Sequence, residues 1–156
     1  MDYSIGAAIG AGAVATLVMT AIMYMGRAMM PQQMPMNILY MLGTMMTPSK
    51  MPAYMMGVMM HAANGIIFGI VHTALYQAFG LESGLVGWGI LFGFIHWIIV
   101  GMGLGMMGVM HPMIRRGDMD APGAFAMRLP MMNVMGFLML HLIYGLVLGA
   151  LYEAWA

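Results

Sequence analysis

"GIIFGIVHTALYQAFGLESGLVGWGILFGFIHWIIVGMG" (residues 65–103) decides the fold. Two apolar runs flank a short turn, "GLESG", and Glu82 is the only formally charged residue of the stretch. A helix needs about 20 apolar residues to cross the hydrocarbon core of a bilayer. Followed outward, these runs cover roughly Ala53 to Gly80 and Gly84 to Met110, so the short turn makes them an antiparallel helical hairpin. Two more runs qualify: Ile5 to Met30, with only Arg27 near its end, and Met131 to Tyr152. The expected fold is all-α: a four-helix transmembrane bundle, up-down-up-down, forming one domain over residues 1–156.

Composition requires the same solvent. The chain has 156 residues, 63% hydrophobic and 6% charged, with mean hydropathy +0.90. A soluble domain carries about 25% charged residues, so lipid is the expected partner of most of this surface. A formal net charge of +0 argues against nucleic acid and polybasic lipid binding. The absence of cysteine excludes a disulfide framework, thiolate metal sites and iron–sulfur clusters. The opening "MDYSIGAAIGAGAVATLVMT" lacks the basic n-region of a cleaved signal peptide, so its apolar run is read as a retained helix.

The two longer connections, "PQQMPMNILYMLGTMMTPSKMP" and "HPMIRRGDMDAPGAFAMRLP", are punctuated by proline, which ends helices. Every basic residue falls on their side of the drawing: Arg27, Lys50, Arg115, Arg116 and Arg128. Asp2, Glu82 and Glu153 fall on the other. The positive-inside rule then puts the long loops in the cytoplasm and both termini outside. Within the first loop, "NILYMLGTMM" reads as a short helix capped by Asn37, lying at the interface or re-entering. Glycines recur at four-residue spacing, as in Gly65 with Gly69, Gly89 with Gly93 and Gly145 with Gly149. Such steps let helices approach closely in lipid.

The 27 methionines are unevenly placed. Met1 aside, all fall on the basic side or in the helix halves nearest to it. The first run has none before Met19; the second has Met55, Met56, Met59 and Met60 and then none. The third has none until Met102, then Met106, Met107 and Met110; the fourth has Met131, Met132, Met135 and Met139 and then none. Methionine is a flexible filler suited to irregular packing or to a partner's surface. Its thioether is also a soft ligand that selects Cu(I) or Ag(I) over hard ions. Both readings fit. Met19, Met23 and Met30 form one stripe and Met25 with Met29 another, so some sulfurs look at lipid or at a partner chain.

Histidine inside a membrane span is a functional hypothesis in its own right. There are five: His61, His72, His96, His111 and His141. His96 and His141 lie near mid-span, His61 nearer the basic side, and His111 directly after Met110. On a helical wheel His96 shares a face with Gly89, His141 with Gly145, and His61 and His72 with Gly65. Three histidines from three helices are therefore expected to meet near mid-membrane. The plainer alternative is that each bonds a neighbour such as Asn64, Thr73, Tyr144 or Tyr152. A haem between His96 and His141 is a weak option, because no histidine pair repeats at matching depth on two helices. The candidate metal ligands are Met56, Met60, His61, Met107, Met110, His111, Met135 and His141, with copper as the expected ion.

No acidic residue lies deep in a span, which weighs against a proton-coupled transporter. No nucleophile–base pair, phosphate loop or nucleotide fingerprint appears, so no enzymatic activity is expected. "IGAAIGAGAVATLVMTAIMYM", "GWGILFGFIHWIIVGMGLGMMGVMHP" and "LHLIYGLVLGALYEAW" resemble a widespread family of small four-helix membrane proteins of unknown function in bacteria and archaea. The most specific part is the last run, with His141, Tyr144, Gly145, Gly149 and Tyr152. The resemblance implies the four-span topology and no catalytic residues. The leading expectation is a non-enzymatic membrane protein that binds or passes a soft ion, Cu(I), through a one-sided Met/His cluster. The alternative is a structural accessory subunit of a larger respiratory or copper-oxygenase type complex. The expected partners are the lipid bilayer and other membrane subunits or further copies of the chain.

Overall fold

The computed structural model describes residues 3–156, and these form helices and no strand. α1 covers Ile5–Met29, α2 Ile38–Gly43, α3 Lys50–Ala78, α4 Leu85–Met110, α5 Pro112–Arg116 and α6 Met131–Trp155, with a 3-10 turn at Ala124–Ala126. α1, α3, α4 and α6 are long and apolar enough to cross a membrane, with 25, 29, 26 and 25 residues. At about 1.5 Å of rise per residue each exceeds the roughly 30 Å of a hydrocarbon core. Met1 and Asp2, the latter expected on the acidic side, lie outside the described residues.

Two boundaries differ from the sequence reading by three residues. α3 starts at Lys50 instead of near Ala53. Pro52 thereby sits in the first turn, where its missing N–H leaves no intrahelical bond unmade. α6 runs past Tyr152 to Trp155 because its last turn does work for another helix. The Glu153 carboxylate accepts hydrogen bonds from the backbone N–H groups of Gly84 (2.9 Å) and Leu85 (3.0 Å) at the start of α4. Negative charge suits that helix end.

Contacts divide the chain into two compact units. The first comprises Met1–Met23, Ala62–Trp97 and Leu138–Ala156; the second comprises Tyr24–His61 and Ile98–Phe137. Each long helix gives one segment to each unit.

The first unit packs by close backbone approach. Gly89 of α4 and Gly145 of α6 face each other so tightly that a methyl on either would overlap the other's carbonyl group. Thr16 on α1 donates to the Gly12 carbonyl (2.7 Å), which satisfies a hydroxyl buried against Gly65 of α3. Tyr76, Leu85, Tyr144 and Leu148 fill the interior. Helices that associate in lipid have no hydrophobic drive, and close packing of this kind supplies attraction in its place.

In the second unit, hydrogen bonds from loop residues hold the elements together. The expected short helix exists as α2, and Leu39, Met41, Leu42 and Gly43 bury it. The Asn37 side chain is its hub. Its Oδ1 accepts from the Tyr40 N–H (3.2 Å) and from the Tyr24 hydroxyl (2.6 Å), and its Nδ2 donates to the Tyr54 hydroxyl (2.6 Å). Arg27 donates to the Pro35 carbonyl. Asn133 on α6 accepts from the Met36 N–H (3.1 Å) and donates to the Met36 sulfur (3.7 Å). α2 lies directly on α3, with Gly43 against the Ala53 backbone and Gly57 against the Leu39 backbone.

Candidate functional site

The methionines sort by unit. Besides Met1, only Met19, Met23 and Met139 belong to the first; all the others belong to the second. Most of these are exposed. Met51, Met55 and Met59 follow one another at four-residue spacing on α3, as do Met102, Met106 and Met110 on α4, Met131 and Met135 on α6, and Met25 and Met29 on α1; all are exposed. Residues four apart on a helix are neighbours on one face, with Cβ atoms about 5–6 Å apart. Each long helix therefore carries an outward line of thioethers over its second-unit segment.

The eight expected ligands differ in burial and in unit. Met56, Met60, His61 and Met107 are half-buried, and Met110 and Met135 are exposed. His141 belongs to the other unit. His111 is fully buried, yet both of its ring nitrogens have partners. Nδ1 accepts from the Ile114 N–H (3.4 Å), capping α5. Nε2 lies 2.9 Å from the Met41 carbonyl and 3.2 Å from the Thr44 hydroxyl. A nitrogen that accepts an N–H bears no proton, so Nε2 carries it and donates to Met41. The sequence suggested a ligand because His111 follows Met110; the fold uses it as a joint between α5 and α2.

The expected meeting of three histidines from three helices occurs in the first unit, with His72 as the α3 member. His72, His96 and His141 are 2%, 7% and 3% exposed. Ring centroids lie 5.6 Å apart for His72 and His96 and 4.8 Å apart for His96 and His141, with the ring planes nearly perpendicular in both pairs. Phe68 stacks on His96 at 3.7 Å. Tyr144 stands edge-on to His72 (5.7 Å) and His96 (5.3 Å). The rings of His96 and His141 touch, so no macrocycle plane fits between them. Two of the neighbours considered as histidine partners also bond backbone. The Tyr144 hydroxyl donates to the Gly65 carbonyl (2.5 Å), and the Thr73 hydroxyl donates to the carbonyls of Gly69 (3.0 Å) and Ile70 (3.1 Å).

Depth counting along the hairpin distinguishes His72 from His61. His96 lies fourteen residues after Glu82, His72 ten before it and His61 twenty-one before it. At about 1.5 Å per residue, His72 is offset from His96 by roughly 6 Å and His61 by roughly 10 Å. A helical wheel alone places His61 and His72 on one face and cannot choose between them.

The family model of DUF6789, a family of unknown function, matches residues 3–156. The chain belongs to that family. No curated protein and no solved structure matches it. DUF6789 membership thus carries no chemistry with it, and the arrangement of this chain's own side chains is what bears on function. Among the described residues, no group of three or more His, Asp or Glu side chains is placed to hold a metal ion. In this DUF6789 chain the soft donors are outward thioethers in one unit and buried imidazoles in the other.

Proposed function

We propose that this chain is a non-enzymatic protein of a prokaryotic inner membrane that binds or passes a soft monovalent ion, Cu(I), through its methionine-rich unit. In this reading the chain crosses the bilayer four times, up-down-up-down, with the long loops in the cytoplasm and both termini outside. The observation that carries it is the set of outward methionine lines at four-residue spacing on all four long helices. Lipid contact alone gives no reason for sulfur, since leucine is as apolar and less flexible. Two thioethers four residues apart can close on one soft ion without moving the backbone. Sites of that kind are weak and exchangeable, which suits passage better than storage. Met56, Met60 and Met107, half-buried on α3 and α4, belong to the same ligand set. His111 contributes structure to this unit and drops out of the ligand set.

Purified protein titrated with Cu(I), or with Ag(I) as a redox-inert substitute, tests this. Several ions per chain are expected, and a variant carrying Met102→Leu, Met106→Leu and Met110→Leu binds fewer. Equal binding by that variant, or none by the wild type, overturns the proposal.

The same exposure favours a second reading, an accessory subunit of a larger membrane complex of respiratory or copper-oxygenase type. Methionine-rich surfaces adapt to a partner's shape. Under this reading the triple leucine variant still comigrates with unlike chains on native gels, and the ion count is irrelevant to assembly.

A further inference from the structure

The buried imidazoles of the first unit play no part in the thioether reading. We propose that His72 and His96 form a separate two-coordinate site for Cu(I) or Ag(I), held between their imidazole nitrogens. Only the class of ion is shared with the function proposed above. The donors and the unit differ, so either proposal stands without the other.

Three observations point to it. First, His72 is 2% exposed and its Nδ1 is buried with no hydrogen-bond partner. A polar atom left unsatisfied in such a place costs about 1–3 kcal/mol, and in hydrocarbon there is no water to relieve it. A ligating role explains it, because imidazole binds metals through the lone pair of an unprotonated ring nitrogen. Second, the spacing fits. A metal–nitrogen bond of about 2 Å, plus about 1 Å from nitrogen to ring centre on each side, puts two linear ligands about 6 Å apart, centre to centre. The rings of His72 and His96 are 5.6 Å apart and 80° from coplanar, and a twist about the nitrogen–metal–nitrogen axis leaves such bonding intact.

Third, the surroundings select the ion. Zinc takes three or four ligands and calcium six to eight, and no group of three or more His, Asp or Glu side chains is so placed among the described residues. A monovalent soft ion accepts two. Phe68, stacked on His96, Phe92, 6.0 Å from His72, and Tyr144, beside both, pack against the two imidazoles. His141, edge-on to His96 at 4.8 Å, fixes the orientation of that ring and serves as a positioning residue.

X-ray absorption of the full-length protein loaded with Cu(I) under reducing conditions tests the site. The expected spectrum contains a nitrogen shell at about 2.0 Å, distinguishable from any sulfur shell at about 2.3 Å. His72→Phe and His96→Phe each remove the nitrogen shell and lower Ag(I) stoichiometry by one ion per chain. His141→Phe keeps the shell. The Met102, Met106 and Met110 leucine variant also keeps it, even where it abolishes sulfur scattering. Circular dichroism confirms that each variant is folded; should His96→Phe not fold, His72→Phe alone decides. A wild-type spectrum with sulfur only, or a nitrogen shell that survives His72→Phe, overturns the site. A spectrum with nitrogen only leaves it standing and removes the thioether proposal instead.

Discussion

The two units are built from the same four helices by different means. The first has glycine, alanine and aromatic side chains inside, and helix backbones touch at Gly89 and Gly145. The second has connecting segments, and side chains such as Asn37, Asn133 and His111 tie them by hydrogen bonds. The difference follows from where backbone groups are left unsatisfied. Inside a long helix every N–H and C=O is paired along the chain, so neighbouring helices need only fit. Where helices end and loops turn, free backbone groups require partners, and polar side chains supply them. Methionine then occupies the outward positions of the second unit, where neither constraint applies.

This contrast can be broken, and the largest effect is expected at the glycine crossing. Gly145→Leu places a side chain into the backbone of Gly89 and Gly93 and should destabilise the protein by about 3 kcal/mol or more. Gly103→Leu, on α4 with open space around it, should change thermal stability in detergent by less than about 0.5 kcal/mol. Equal effects at the two glycines would mean that close approach is not what holds the first unit.

Asn37→Ala comes next, at about 2–3 kcal/mol, since it removes a helix cap and two tyrosine bonds together. Hydrogen exchange should speed up across α2 and leave the amides of Phe92 to Trp97 protected. A uniform increase over both units would show that they do not hold their structure by separate means.

Glu153→Ala follows at about 1 kcal/mol, seen as faster exchange at the first turn of α4. Unchanged exchange there would mean that the carboxylate does not cap α4. The smallest effect belongs to the triple change of Met102, Met106 and Met110 to leucine. These residues are 55–56% exposed, and swapping apolar for apolar at the surface should leave the melting temperature within the range of about 0.5 kcal/mol. A larger loss would show that this line packs on something in the purified protein, which favours the accessory-subunit reading.

Much of this was legible residue by residue. Four runs such as Ile5 to Met30 announce helices long and apolar enough to cross a membrane, because about 20 apolar residues in a row suffice for that length. Asn37 announced α2 because an Asx side chain at that position satisfies a free helix N–H. The crowding of methionine into one unit followed from runs that carry it at alternate ends. The histidine cluster was half legible: the faces of His96 and His141 were right, and the α3 member needed the relative depth of two helices. For His111 the sequence showed its neighbour Met110 but not the Met41 carbonyl and the Thr44 hydroxyl, 70 and 67 residues away, that its ring meets.

By itself, then, the sequence determined which segments are helical and apolar, and which segments carry the sulfur. Those properties depend on residues within one or two turns of each other, where spacing along the chain is spacing in space. Only the tertiary structure decided that His72 meets His96, that Glu153 caps α4, and that His111 serves α2. Each of these joins residues far apart in the chain, and the axial offset and rotation that bring them together are set by how neighbouring backbones fit.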